Sequence, residues 1–177
     1  MPSRTLVAAL AAEAIGTFLF FLVGAGAVIM DARTGGEIGL LGIALAHGLV
    51  LAALGTAFAP ISGGQFNPVV TVALWLVGKV RTIEGIRYIV AQLVGAVAAG
   101  FALKLAFGGF EAGDSAWSIA GGGSPAVAAG LTQVTAIAIE AVLTAVLVYT
   151  VLLTAVDKRA PQLGALLIGG VIIADIM

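Results

Sequence analysis

Apolar residues run in long blocks, at about Leu6 to Met30, Gly39 to Ala59, Gly85 to Phe107, Val134 to Val156 and Gln162 to Met177. A helix rises about 1.5 Å per residue and needs roughly 20 apolar residues to cross about 30 Å of hydrocarbon, so the pattern predicts five membrane spans. Asn67 to Val77 is apolar too, but about ten helical residues rise only about 15 Å, half a bilayer. That segment is expected to dip into the membrane without crossing it. The final block is the shortest and ends on apolar residues with no polar flank or basic anchor, which predicts a chain that stops inside a larger bundle.

Composition reinforces the pattern. The chain is 61% hydrophobic and 10% charged, with a mean hydropathy of +1.18, against about a quarter charged residues in soluble domains. The first block lacks a small-residue cleavage exit and is longer than a signal-peptide core, so it reads as a retained helix. With no cysteine, disulfides, thiolate metal sites and cysteine nucleophiles are excluded. The net charge of −1 says little, but its placement says more. With the N-terminus inside, Arg4, Lys79, Arg81, Arg87, Lys158 and Arg159 fall on the cytoplasmic side against Arg33 and Lys104 outside, as the positive-inside rule favours. The expectation is an integral membrane protein, N-terminus cytoplasmic, with the cell membrane as its residence. Asp31, Glu37, Glu111 and Asp114 fall outside, and Gly108 to Gly130 reads as one long external loop.

Laying the spans over each other reveals an internal repeat. Glu13 with Thr17 in the first recurs as Glu140 with Thr144 in the fourth, and His47 and Gly48 in the second match Gly169 and Gly170 in the fifth. Copies separated by three spans have opposite orientations, the inverted repeat of channels and transporters built around a midplane site. The competing reading is two apolar helices whose small residues fall in step by chance.

The stretch Ser62-Gly63-Gly64-Gln65-Phe66-Asn67-Pro68-Val69-Val70-Thr71 carries the chemistry. Asn is a leading helix N-cap, and Pro at the first helical position lacks only an N–H that would be unpaired there. Non-helical backbone at membrane depth is tolerated only where protein buries it or it lines a wet cavity. A short helix starting there aims the positive end of its dipole, with the Asn67 amide, at the cavity's contents. Neutral hydrogen-bonding solutes are accommodated, and cations and protons are opposed. The alternative is an ordinary turn between two helices.

At these residues the chain resembles the major intrinsic protein family, the aquaporins and glycerol facilitators. The family loop reads Ser-Gly-Gly/Ala-His-x-Asn-Pro-Ala-Val-Thr, matched by Ser62 to Thr71 except for Gln65 at the usual His and Val69 at the usual Ala. Ala12-Glu13-Ala14-Ile15-Gly16-Thr17-Phe18, Ala91-Gln92-Leu93-Val94-Gly95-Ala96 and Ile139-Glu140-Ala141-Val142-Leu143-Thr144 are family-like as well. The resemblance implies an all-α membrane protein, an aquaporin-like inverted-repeat bundle in one transmembrane domain over residues 1–177. Five spans and one re-entrant half-helix are present; the second half-helix and sixth span are missing. It also implies a homotetramer when complete, a lipid bilayer as surroundings, no nucleic acid and no cofactor. The second Asn-Pro-Ala loop and its following arginine are absent, so the chain is expected to be incomplete at its C-terminus. Val69 is bulkier than Ala where two half-helices would touch, and so is expected to shift midplane packing without necessarily blocking the pore.

By the same resemblance, the pore and selectivity residues are Asn67, Pro68, Val69, His47 and Ile176. His47 matches the constriction site on the second span, and Ile176 the one on the fifth; a His plus Ile pair is most like the tonoplast-intrinsic type. It suggests a wider, more polar filter for water, ammonia, urea or hydrogen peroxide, with glycerol a weaker candidate. The bland alternative for His47 is a ring packed on a neighbouring helix and bonded to a backbone carbonyl. Glu13 and Glu140 are costly in hydrocarbon without partners. They read either as carboxyl groups accepting loop N–H bonds, with Ser62, Gly63, Gly64 and Gln65 completing the loop support, or as a proton relay. Asp175 is expected to bond loop backbone. Ala44, Gly48 and Ala52, with Gly95 and Ala99, form small-residue faces for close helix contact.

The leading expectation is thus a passive channel for water and small neutral solutes. A proton-coupled transporter using Glu13, Glu140 and His47, or an inactive truncated chain, are the alternatives. One His, no thiol, no phosphate-cradling glycine motif and no metal-ligand cluster give no support to an enzyme.

Overall fold

The computed structural model describes residues 5–108, 116–157, 159–160 and 163–177. Arg4, Glu111, Asp114, Lys158 and Gln162, invoked above for topology and span limits, lie outside the described residues. Thr5 opens the first helix, α1 (Leu6–Arg33), by accepting from the Ala8 N–H at 3.3 Å, and Arg33 closes it in the last turn, complementing the dipole. A short link returns the chain into α2 (Gly39–Phe58), tied by Asp31 Oδ1 accepting from the Gly39 N–H at 2.8 Å. Then come the short α3 (Pro68–Leu76) and the long α4 (Thr82–Leu103), which ends in a π-helical turn at Lys104–Gly108.

Beyond these lie α5 (Ala116–Ile119), a 3-10 turn at Gly121–Gly123, α6 (Gln133–Val151) with its own π-helical end Leu152–Val156, and α7 (Gly164–Ile176). Four helices, α1, α2, α4 and α6, are long and apolar enough to cross a membrane. The fifth expected span corresponds to the 13-residue α7, an apolar helix shorter than these four. The stretch expected to form the long loop is also partly helical. Trp117 on α5 packs back against Ala25, Ile29 and Leu103, because an indole is poorly served by water when an apolar seam lies within reach.

Close crossings hold the bundle together. α1 packs on α4 and α2 on α7, each through the small residues expected to permit it. A Cβ on Gly95 would run into the carbonyl oxygen of Ala14, and one on Gly48 into that of Gly169. In lipid no hydrophobic force draws helices together, so such backbone proximity and its dispersion energy must do so. α3 is held from both sides, by α4 and by an apolar cluster of Val70 and Leu74 with Leu147 and Val151 of α6.

Candidate functional site

Between Phe58 and Pro68 the chain is non-helical: its first half is paired by local backbone bonds, and the Gln65 and Phe66 N–H groups and the Ser62 carbonyl are met by side chains from other helices. Gly64 adopts φ 63°, and a Cβ there would lie 3.1 Å from the carbonyl oxygen of Gly55, so the turn needs glycine on both counts. Ser62 Oγ accepts from the Gly64 N–H at 3.1 Å, and the Ser62 carbonyl accepts from the Tyr88 hydroxyl at 3.1 Å. Phe66 is the one non-glycine among the described residues with positive φ, at 48°. Such a conformation survives only when its surroundings over-determine it. Its ring meets Phe58 edge-on at 5.8 Å and fills the space that Gly16 leaves beside α1.

Glu13 supplies the decisive hold. It is fully buried in α1; Oε1 accepts from the Gln65 N–H at 3.0 Å and Oε2 from the Phe66 N–H at 2.7 Å. The Gln92 amide donates to the same Oε2 at 2.8 Å and to Thr71 Oγ1 at 3.0 Å. Thr71 in turn donates to the Asn67 carbonyl at 3.1 Å. Every donor and acceptor in this relay fits one orientation of the Gln92 amide, since its NH2 must face Glu13. Gln92 Oε1 is consequently left buried without a partner among the described residues, as are Gln65 Oε1 and Thr17 Oγ1.

The cluster delivers α3 with its N-terminus exposed to a cavity. Asn67 Oδ1 accepts from the Val69 N–H at 2.8 Å, the N-cap bond, and Pro68 starts the helix. With its oxygen so engaged, the Asn67 NH2 has no protein acceptor among the described residues. Asn67 lines a cavity of about 590 Å³ together with the loop residues Gly63, Gly64 and Gln65 and the apolar Leu147, Val151 and Ile168. Polar loop residues and apolar side chains thus share one cavity with a helix N-terminus and its amide donors. Such a surface orients a small neutral solute that can accept a hydrogen bond, and its positive potential opposes cations. Among the described residues no group of three or more His, Asp or Glu side chains could hold a metal ion.

The other expected site residues lie further off. His47 stands between α2 and α1: its Nδ1 lies 2.9 Å from the Ile43 carbonyl, to which it must donate, and its ring meets Phe20 edge-on at 5.8 Å. Ile176 is half-buried in the last turn of α7. Where α2 crosses α7, Gly48 meets Gly169 and Ile173. Val69 remains 46% exposed beside the α3 start. Glu140 is exposed on α6, and no hydrogen bond reaches it among the described residues. Four positions that hold the loop, Gly16, Thr71, Tyr88 and Gln92, carry no site role in the sequence reading. A glutamine in the middle of an apolar span was the available signal, because a polar side chain at that depth needs a partner.

Comparison with known proteins places this geometry. The major intrinsic protein family matches residues 1–177. Aquaporin Z of Photorhabdus laumondii is 40% identical over 156 residues, covering 86% of this chain and 67% of that protein. Aquaporin TIP2-1 of Arabidopsis thaliana is 37% identical over 174 residues, 94% of this chain and 66% of its own length. Aquaporin AqpM of Methanothermobacter marburgensis is 38% identical over 187 aligned positions, 94% of this chain and 72% of its own length. The chain therefore spans about two thirds of the length of these relatives. With the family match covering every residue, and with the Asn-Pro half-helix hung from a buried glutamate, the chain belongs to the major intrinsic protein family.

Proposed function

We propose that the protein to which this chain belongs is a passive channel, not an enzyme, for water and small neutral solutes, with ammonia, urea and hydrogen peroxide as candidates and glycerol a weaker one. One observation carries the reading: the α3 N-terminus, with Asn67 donors unclaimed by protein, opens onto the 590 Å³ cavity while Glu13 and Gln92 fix the loop behind it. Asn67, Pro68 and Val69 are the pore residues on this reading, with His47 and Ile176 as the filter pair. Glu13, Ser62, Gly63, Gly64 and Gln65 support the loop, and Glu140 has the matching role in the second half. Both oxygens of Glu13 already accept hydrogen bonds, which suits a strut better than a proton relay.

The family further suggests one transmembrane domain that works as a homotetramer. The distribution of lysines and arginines favours a cytoplasmic N-terminus, and the cell membrane is the proposed residence. Swelling of vesicles containing the full-length protein tests the reading. Water flux should have a low activation energy and be indifferent to a proton gradient, and Asn67→Asp, which keeps the capping oxygen but replaces the NH2 donors, should cut it at least about tenfold, the worth of 1.4 kcal/mol. Flux that follows the proton gradient would overturn it.

A further inference from the structure

Lys79, Arg81 and Arg87 are exposed and line the same cavity as Asn67, so they mark its open mouth. Leu6 and Ala9, at the start of α1, line it too, so this mouth opens at the membrane face where α1 begins. Glu84 is the one acidic residue lining the cavity, and it meets only Arg81, across 3.8 Å with both side chains substantially exposed. Such a pair is weak and readily exchanged for a better partner. Lys79 and Arg87 have no carboxylate within ion-pair range among the described residues.

The backbone carrying these cations is anchored. The N–H groups of Lys79 and Val80 both donate to the Leu74 carbonyl, at 2.8 and 3.3 Å, and Trp75 Nε1 donates to Thr82 Oγ1 at 2.9 Å. Trp75 is 43% exposed, as suits an indole at the depth of lipid headgroups. Three long basic side chains over one opening, two without a carboxylate partner, make a site for an anion with several oxygens. Guanidinium forks and an ammonium match the oxygens of a phosphate group.

We propose that Lys79, Arg81 and Arg87 bind a phosphate-bearing anion at the cavity mouth, and that its occupancy restricts access to the cavity. The phosphate comes either from the headgroup of an anionic phospholipid in the adjoining leaflet or from solution. Binding stands independently of the channel reading; restriction of access rests on it.

Titration calorimetry on the purified full-length protein in detergent tests binding, with short-chain phosphatidylglycerol, short-chain phosphatidylcholine and inorganic phosphate as probes. Phosphatidylglycerol should bind more tightly than phosphatidylcholine. Each of Lys79→Gln, Arg81→Gln and Arg87→Gln should weaken it about fivefold, and added salt should weaken it further. Glu84→Gln, which frees Arg81, should strengthen it. Competition by inorganic phosphate assigns the site to the free anion, whereas its failure to compete assigns the site to the lipid. Unchanged affinity in the triple variant, with unaltered melting, or no binding of either probe, overturns the proposal. Water flux is then compared in phosphatidylcholine vesicles with and without phosphatidylglycerol or internal phosphate. The bound anion should slow the native protein and leave the triple variant unaffected. Binding with no effect on flux overturns the restriction alone. Absence of flux in every vesicle counts against the channel reading, while the titration still decides the site.

Discussion

Glu13 and Glu140 are the glutamates that the internal repeat of the sequence matches to each other, yet their surroundings differ completely. Glu13 is buried and accepts three hydrogen bonds from a loop and a neighbouring helix; Glu140 is exposed on α6 and accepts none from the described residues. Similar helices with similar polar residues are therefore not enough to make a strut. The strut exists where a re-entrant backbone presents N–H groups that must be satisfied at membrane depth. In the first half the α2–α3 loop makes that demand and Glu13 answers it.

The sharpest test exchanges each glutamate for leucine in this chain. Glu13→Leu leaves two backbone N–H groups and the Gln92 amide without their acceptor, at about 1–3 kcal/mol for each buried group left unsatisfied. The expected result is a loss of roughly 3 kcal/mol or more, together with faster amide exchange at Gln65 and Phe66. Glu140→Leu should leave melting in detergent unchanged or raise it, since an unpartnered carboxyl on an apolar span is costly to keep. Equal losses would mean that the two glutamates are supported alike and would remove the contrast.

How much of this was legible in the sequence follows the same division. The bounds of α3 could be read because their cause is local: Asn67 and Pro68 start a helix by chemistry confined to neighbouring residues. The link between Glu13 and the loop could be anticipated, since a carboxyl in a span must find donors, and a re-entrant loop has them to offer. The participation of Gln92, Thr71 and Tyr88 could not, because it depends on how α4 is rotated against α1, a matter decided by Gly95 against the Ala14 carbonyl. Nor did the sequence indicate Trp117 folding the external segment back onto α1 and α4, for the apolar seam it covers is assembled from distant residues. For His47 the pattern left two roles open. The ring's bond to the Ile43 carbonyl and its contact with Phe20 describe how it is held.

Within the second half the adjacent glycines of α7 sharpen the comparison at smaller cost. A Cβ on Gly169 would run into the Gly48 carbonyl and lie 2.8 Å from Ala52 Cβ, whereas one on Gly170 meets nothing within 4 Å. Gly169→Ala should therefore force α2 and α7 apart and cost about 1–3 kcal/mol, as overpacking does. Gly170→Ala should be neutral or stabilise by up to about 1 kcal/mol through helix propensity. Melting of the two variants in detergent checks this, and matching effects would show that the α2–α7 crossing does not depend on the small-residue contact.

The smallest expected effect concerns charge. The polar cluster of the first half is sealed from water, whereas the second half has an ion pair in the open, just past α6. Arg159 donates from Nε to Asp157 Oδ1 at 3.0 Å and from Nη2 to Oδ2 at 2.6 Å, and its backbone N–H adds a third bond at 2.9 Å. These bonds, the side-chain ones foremost, hold the Asp157 carboxyl below its ordinary value of 3.8 and push the Arg159 guanidinium above its ordinary range. A depressed carboxyl binds fewer protons folded than unfolded just below its ordinary value, so its contribution is present above pH 3.8 and disappears as pH falls through the lower folded value. From neutral pH down to about 5 this pair should therefore leave stability unchanged, and only further acidification should erode it. Because the pair is exposed, salt should reduce the effect as well. Melting of native protein and Arg159→Gln across this acid range provides the check: the native advantage should shrink only below pH 3.8. A difference that persists unchanged in acid or in high salt would mean that Arg159 acts by packing rather than by charge.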